Sequence, residues 1–305
     1  MLLAVDIGNT NSVLGVFQQE RLVSHWRLTT QRDRTADEYG ILCRNLFSLW
    51  NLDRSGIEGV VVASVVPPVN PRIREMTEEY FGLVPFFVDP AEQTLIPIRY
   101  HPVTDVGADR IVNAVAAVER YGKPAIIIDL GTATTFDVVS SAGEYLGGVI
   151  APGLAISAEA LFMRAARLPR VEIKRPQKII GSSTVESLQS GLFHGYVSLI
   201  NGVLDLIRAE VPGAKMIATG GLADSLISEL PAVQHVDPDL TLQGLRIFYE
   251  RMFKKVTGQR VAGQQVTDQK ASVRRVTGQQ VTGAQVRGQQ VPGQKVRDPK
   301  SSKNS

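Results

Sequence analysis

Apolar and polar positions alternate between two periods along the chain. Leu2 to Val5 form an apolar run that breaks at Asp6. Gly8-Asn9-Thr10-Asn11 follow, and Val13 to Phe17 are apolar again. The spacing predicts a strand, a tight turn and a second strand. RLVSHWRLT predicts a third strand, so residues 1–30 read as three strands. A helix is expected over 36–50, and GVVVASVVPPV reads as a buried strand ending at Pro67-Pro68. A helix is expected over 70–81 and a strand in LVPFFVD. Ile111, Ala114, Val115 and Val118 are spaced for a helix that starts near Ala108.

The opening pattern then recurs. AIIIDLGTATTFDVVS repeats LLAVDIGNTNSVLGVF in type: apolar strand, Asp, apolar residue, Gly, hydroxyl or amide residues, second β-rich run. Strands are expected through GGVIAP. ISAEALFMRAARL and SSTVESLQSGLFHGYVSLINGVLDLIRAEV read as helices, KMIATGG as a strand ending in a glycine pair, and LQGLRIFYERMF as a closing helix. The fold class is α/β, in two halves that begin alike.

One such Asp-Gly turn reads most plainly as a β-hairpin, since Gly and Asn tolerate turn conformations. Asp6 strains that reading, because an ionised carboxylate directly after four apolar residues needs a partner. Two such turns suggest a ligand held between duplicated halves. Gly8 and Gly131 would let the backbone approach phosphate. Thr10, Asn11, Thr132, Thr134 and Thr135 would donate to its oxygens.

The chain has 305 residues, 44% of them hydrophobic, enough for a sizeable core in two domains or one large one. The net charge of +3 averages two unlike regions. Residues 254–305 hold eleven Lys or Arg and two Asp. That leaves 22 basic and 28 acidic residues, a net of −6, in 1–253. The body therefore gives no electrostatic case for nucleic acid. The tail repeats five-residue units such as VTGQR, VAGQQ and VPGQK, a composition that predicts disorder. Its alternative reading is a polybasic arm for nucleic acid or an anionic surface.

The start of the chain lacks a basic leader followed by an apolar run, and no apolar stretch approaches the ~20 residues of a membrane helix. The single cysteine, Cys43, excludes an intrachain disulfide framework and a multi-cysteine zinc site. A cytoplasmic protein with no membrane partner is expected. Cys43 lies in an amphipathic helix and reads as core. His25, His101 and His194 lack metal-ligand spacing.

DIGNTN, GADR, DLGTATT and ATGG, in this order, resemble the type III pantothenate kinase family over about residues 1–253. That family belongs to the acetate and sugar kinase, Hsp70 and actin superfamily. The resemblance implies two RNase H-like lobes of the actin/Hsp70 type, with mixed sheets flanked by helices and an ATP cleft between them. The lobes would be 1–120 and 121–253, with the tail at 254–305. It implies ATP-dependent phosphorylation of pantothenate at its terminal hydroxyl, the first committed step of coenzyme A synthesis, by a homodimer.

On that resemblance Asp6, Ile7, Gly8, Asn9, Thr10, Asn11, Ser12, Val13 and Thr132 would bind ATP. Asp6 would hold Mg²⁺ directly or through water, and Asp129 a monovalent cation, potassium or ammonium. Ala218-Thr219-Gly220-Gly221 matches the adenosine segment. Asp109 matches the catalytic base. Its plainer reading is a first-turn carboxylate complementing a helix dipole. Asp105 and Asp137 compete with it, but lie outside the matched motif.

Tyr100, Gly107, Ala108, Asp109, Arg110 and Thr184 would bind pantothenate, with Arg110 a natural partner for its carboxylate. Arg110 could instead form a surface ion pair, Tyr100 be an ordinary strand residue and Thr184 an N-cap ahead of VESLQ. The run from Leu188 to Ile207 suits a dimer face or core equally.

Overall fold

A computed structural model describes residues 1–165 and 167–253, so the pentapeptide repeat and its expected disorder lie outside the described residues. The chain forms two five-stranded sheets. The first contains β1 (Leu2–Ile7), β2 (Asn11–Gln18), β3 (Arg21–Thr29), β4 (Gly59–Ser64) and β5 (Phe86–Phe87), in the order β3-β2-β1-β4-β5. The second contains β6 (Ala125–Leu130), β7 (Ala133–Val139), β8 (Tyr145–Pro152), β9 (Lys215–Thr219) and β10 (His235–Val236), in the order β8-β7-β6-β9-β10.

The two orders are the same once renumbered. In each, the first three strands form an antiparallel meander, and the first strand also pairs in parallel with the fourth. This is the RNase H-like arrangement, present twice. Asp6 lies opposite Val13 and Ala63, and Asp129 lies opposite Thr135 and Thr219.

Helices cover both faces of each sheet. α1 (Ala36–Leu49) and α2 (Asn70–Phe81) pack on the outer face of the first sheet, where Leu3, Val5 and Ile7 meet Tyr39, Phe47 and Ile73. α1 begins with a capping box: Thr35 accepts from the Glu38 amide, and Glu38 accepts from the Thr35 amide at 2.7 Å. Cys43 is buried in this layer, and burial pushes its thiol up to about 12, which leaves it a core residue.

α4 (Leu154–Arg164) and the long α5 (Thr184–Glu210) cover the outer face of the second sheet. Leu192, Phe193, Tyr196, Ile200 and Leu204 of α5 are core, so one face of the run from Leu188 to Ile207 is interior, while Leu206 on another is exposed. Between the sheets lie α3 (Ala108–Tyr121) and α7 (Leu240–Phe248), with the short α6 (Ala223–Leu226) after β9. One apolar cluster joins Leu2, Ala4 and Phe17 to Ala125, Ile127 and Ile217 through α3 and α7. α7 packs against β1, β2, β4 and α3, so the C-terminal part of the described chain completes the first sheet's inner face.

Four boundaries differ from the sequence expectations. LVPFFVD yields only Phe86 and Phe87 as strand, because Pro85 has no N–H to extend the ladder. The helix expected over ISAEALFMRAARL ends at Arg164, and the closing helix becomes a π turn over Tyr249–Phe253. Thr184 is not the N-cap of α5. Ser183 is: its hydroxyl accepts from the Glu186 amide at 3.2 Å, and Glu186 reaches back to Ser182 instead. Among the described residues no helix is long and apolar enough to cross a membrane.

Candidate active site

Strand alternation decides where the two repeated aspartates point. Leu2 and Ala4 belong to the inner cluster, while Leu3, Val5 and Ile7 belong to the outer one. Asp6 therefore faces inward, toward the second sheet. On β6, Ala125 and Ile127 face inward and Ile126, Ile128 and Leu130 outward, so Asp129 faces the first sheet. Both strands show the same burial sequence, four buried residues and then a half-buried Asp.

The loops after them are closed alike. The Gly8 amide donates to the Asn11 carbonyl at 3.0 Å, and the Gly131 amide to the Ala133 carbonyl at 3.1 Å. The two loops touch: the Thr132 hydroxyl donates to the Thr10 hydroxyl at 2.9 Å. Thr30, which sequence reasoning passed over, braces the first loop. Its hydroxyl donates to the Gly8 carbonyl at 2.8 Å and bonds the Ser12 hydroxyl at 2.8 Å.

The residues singled out for ATP therefore divide. Asn9, Thr10, Asn11 and Thr132 are exposed on the loops, and Val13 is half-buried on the inward face. Ser12 is buried with its hydroxyl engaged, and Ile7 has its side chain in the outer core, so it offers only backbone.

Asp109 joins the two aspartates from the first turn of α3. Its Oδ1 accepts from the Arg110 amide at 2.8 Å, the helix-terminus role of the plainer reading. An added Cβ on Gly107 would clash with this carboxylate, which explains the glycine. The three acids sense one another. Burial raises Asp6 well above the usual carboxylate range, and the charges of Asp109 and Asp129 raise it further, against a lowering by Arg27. Burial, Asp109 and Asp137 push Asp129 up to about 7. Burial raises Asp109 too. Among the described residues no three such side chains converge closely enough to hold a metal ion by themselves, so a hard cation here would take Asp6 or Asp129 singly and complete its shell with phosphate oxygens and water.

Two further residues fix Asp129. The side-chain amide of Asn113 on α3 donates to it, while the Asn113 carbonyl oxygen accepts from the Thr241 hydroxyl of α7 at 2.7 Å. Gly220, at φ +90°, closes in behind: an added Cβ would lie 2.5 Å from Asp129 Oδ1.

Asp105 is exposed on a 3-10 turn over Val103–Asp105 and belongs to no such cluster. Asp137 is fully buried and already committed. Arg110 Nε donates to it at 2.6 Å, the Tyr145 hydroxyl at 2.7 Å and the Thr135 hydroxyl at 3.0 Å. Arg110 is thus in a buried pair, not a surface one. Its Nη2 is buried without a partner.

Tyr100 is half-buried with its ring against Gly147. A cavity of about 1030 Å³, lined in part by Val65, Asn70, Arg74 and Thr104, opens onto Gly107 and Ala108. Thr184 stands exposed in the first turn of α5 and forms no hydrogen bond with Asp109 or Arg110.

A family model described as type III pantothenate kinase matches residues 2–206. A type III pantothenate kinase of Koribacter versatilis is 53% identical over 262 residues, covering 82% of this chain and 96% of that protein. One of Myxococcus xanthus is 52% identical over 252 residues, covering 82% and 98%. Among solved structures, a Campylobacter jejuni protein described under the Baf family of transcriptional activators shares the fold. It matches with a TM-score of 0.50 and 19% identity, over 81% of this chain and 97% of that one.

Proposed function

The chain belongs to the type III pantothenate kinase family, and from that premise we propose how its cleft phosphorylates pantothenate. The reaction moves the terminal phosphoryl group of ATP to the terminal hydroxyl of pantothenate, giving 4'-phosphopantothenate and ADP. It is the first committed step of coenzyme A synthesis, and we place it in the cytoplasm. The observation that carries the site assignment is the meeting of Asp6, Asp109 and Asp129 beside two touching phosphate loops.

Such transfer depends on positioning and charge neutralisation. ATP lies along the two loops, with the amides and hydroxyls of Gly8 to Val13 on one side and Thr132 on the other. The Ala218–Gly221 turn takes the nucleoside. Asp109 accepts the proton of the pantothenate hydroxyl; its oxygen attacks the terminal phosphorus, and the bond to the ADP oxygen breaks. A carboxyl raised by burial is a better base than an ordinary aspartate, which suits that role.

Asp6 would hold Mg²⁺ and Asp129 a potassium or ammonium ion. The oxygen-only donors and their mutual repulsion fit both. When bound, the cations neutralise phosphate charge. Tyr100, Gly107, Ala108, Arg110 and Thr184 bind pantothenate. The unpartnered Nη2 of Arg110 is the donor left for its carboxylate.

The working unit is a homodimer. Ile150, Ile156, Met163, Ile180 and Val185 are exposed on β8, α4, the approach to α5 and its first turn, an apolar surface that a second copy would cover.

Release of ADP, followed in a coupled assay in potassium buffer with and without pantothenate, tests the reading. Pantothenate-dependent release is expected. ADP release indifferent to pantothenate would point to a nucleotide hydrolase or another acceptor on the same fold.

A further inference from the structure

The cluster of three carboxylates faces a nucleotide that is itself strongly anionic, and Arg27 is the cation placed between them. Arg27 on β3 lies opposite Val13 on β2, which lies opposite Asp6 on β1. Residues in such a row project from one face of the sheet. The neighbours Trp26 and Leu28 belong to the outer cluster, which leaves Arg27 on the inward face with Asp6.

From there its side chain reaches the turn after β9. An added Cβ on Gly221 would lie 2.8 Å from Arg27 Nη1 and 4.0 Å from Nη2. The guanidinium therefore spans from the sheet of the first phosphate loop to the turn assigned to adenosine. Among the described residues it forms no hydrogen bond and no ion pair, and it is exposed. Its charge reaches both Asp6 and Asp129, lowering each. A guanidinium aimed into the cleft with all its donors uncommitted matches the planar oxygen face of a phosphate.

We propose that Arg27 is a phosphate-binding residue of this kinase, donating to the terminal phosphates of the nucleotide and holding the Gly220-Gly221 turn against them. The inference rests on the kinase reading above and deepens it. The amides and hydroxyls of the two loops are neutral donors. Arg27 adds charge where the bridging bond breaks, and so favours triphosphate over monophosphate.

The test is the dependence of affinity on phosphate number. Binding of the β,γ-imido analogue of ATP, of ADP and of AMP, each with Mg²⁺, is measured by calorimetry for wild type, R27Q and R27K. R27Q is expected to weaken the imido analogue by about 10- to 100-fold, the loss typical of a hydrogen bond to a charged group. AMP should change by less than about threefold on the same scale. R27K keeps charge without the fork and should fall between. The KM for ATP should rise in R27Q, with the KM for pantothenate unmoved.

Equal weakening of AMP and the triphosphate analogue, or no weakening at all, overturns the proposal, because a strut on Gly221 would act on every nucleotide alike. Should R27Q fail to fold, an even loss across the three nucleotides in R27K overturns it equally. Wild type serves as the control that separates the two readings. A wild-type protein without pantothenate-dependent ADP release refutes the kinase assignment. An active wild type whose R27Q variant keeps its preference for triphosphate refutes the Arg27 assignment alone.

Discussion

Asp137→Ala should be among the most destabilising single substitutions available in the cleft. Asp137 is fully buried, and its carboxylate takes a bond from Arg110 Nε at 2.6 Å, from the Tyr145 hydroxyl at 2.7 Å and from Thr135 at 3.0 Å. The Arg110 side chain is only 9% exposed and its Nη2 already lacks a partner. Truncation leaves a guanidinium without its counter-charge in a site that water barely enters. Breaking a buried pair in this way costs about 3–5 kcal/mol. Thr135, half-buried, can turn to solvent, so it adds little. For a protein of this size each kcal/mol moves Tm by about 2–4 °C. The expected fall is roughly 8–16 °C for a loss of about 4 kcal/mol.

Calorimetry and urea unfolding of the unliganded protein measure it. The decisive partner is the double variant Asp137→Leu with Arg110→Met, which removes both charges and fills the space. Replacing a whole buried pair by apolar groups is often nearly neutral. The double variant should therefore recover most of the loss while binding pantothenate poorly. A single variant costing under about 1 kcal/mol, or a double variant no more stable than the single, would refute the reasoning.

Asp109→Asn should lower kcat by about 10²- to 10⁴-fold. The unfolding midpoint should not fall, because the amide oxygen still accepts from the Arg110 backbone; near-normal turnover would remove Asp109 as base. Asp129, at about 7 when folded against an ordinary 3.8, binds its proton more tightly in the folded state. The stability it contributes is fully present below about 3.8 and is lost as pH rises through about 7. Melting of the cation-free, unliganded protein should thus fall between about pH 4 and 7 more steeply in wild type than in Asp129→Asn, and equal slopes would contradict this. Exchange of potassium for sodium should reduce turnover through Asp129; indifference to the cation counts against that assignment. Gly220→Ala should cut activity strongly, since its Cβ would meet Asp129 Oδ1 at 2.5 Å and φ is +90°; wild-type rates would show that this carboxylate can move freely.

The repeated Asp-Gly turns were legible because each lies at the tip of a fully buried strand, where a carboxylate stands out against its neighbours. Helix spacing found α1 and α2, and the start of α3, within about a residue for a similar reason: one apolar face each, and clear caps or glycines at the ends. The residues that organise the site from a distance carried no local signal. Arg27 looks like any solvent-facing member of an alternating strand, and its role appears only once β9 delivers Gly221 beside it. Asn113 reads as a polar interruption of an apolar helix until Thr241, 128 positions later, takes its carbonyl. The Arg110–Asp137 pair joins residues 27 positions apart on different elements. β10, with two residues, is too short to show a period. The matched GADR motif singled out Asp109 over Asp105 and Asp137, and the structure adds that Asp105 is exposed and Asp137 is held by Arg110, Tyr145 and Thr135.

The placement of α7 bears on how the polypeptide assembles during synthesis. Leu242, Leu245 and Phe248 complete the inner side of a sheet whose strands all precede residue 90. Until residues 240–248 have been made that side has only α3 over it, so this sheet waits for a helix encoded far downstream of its strands. A fragment cut after residue 120 would expose Leu2, Ala4, Phe17 and Val61 together and should aggregate.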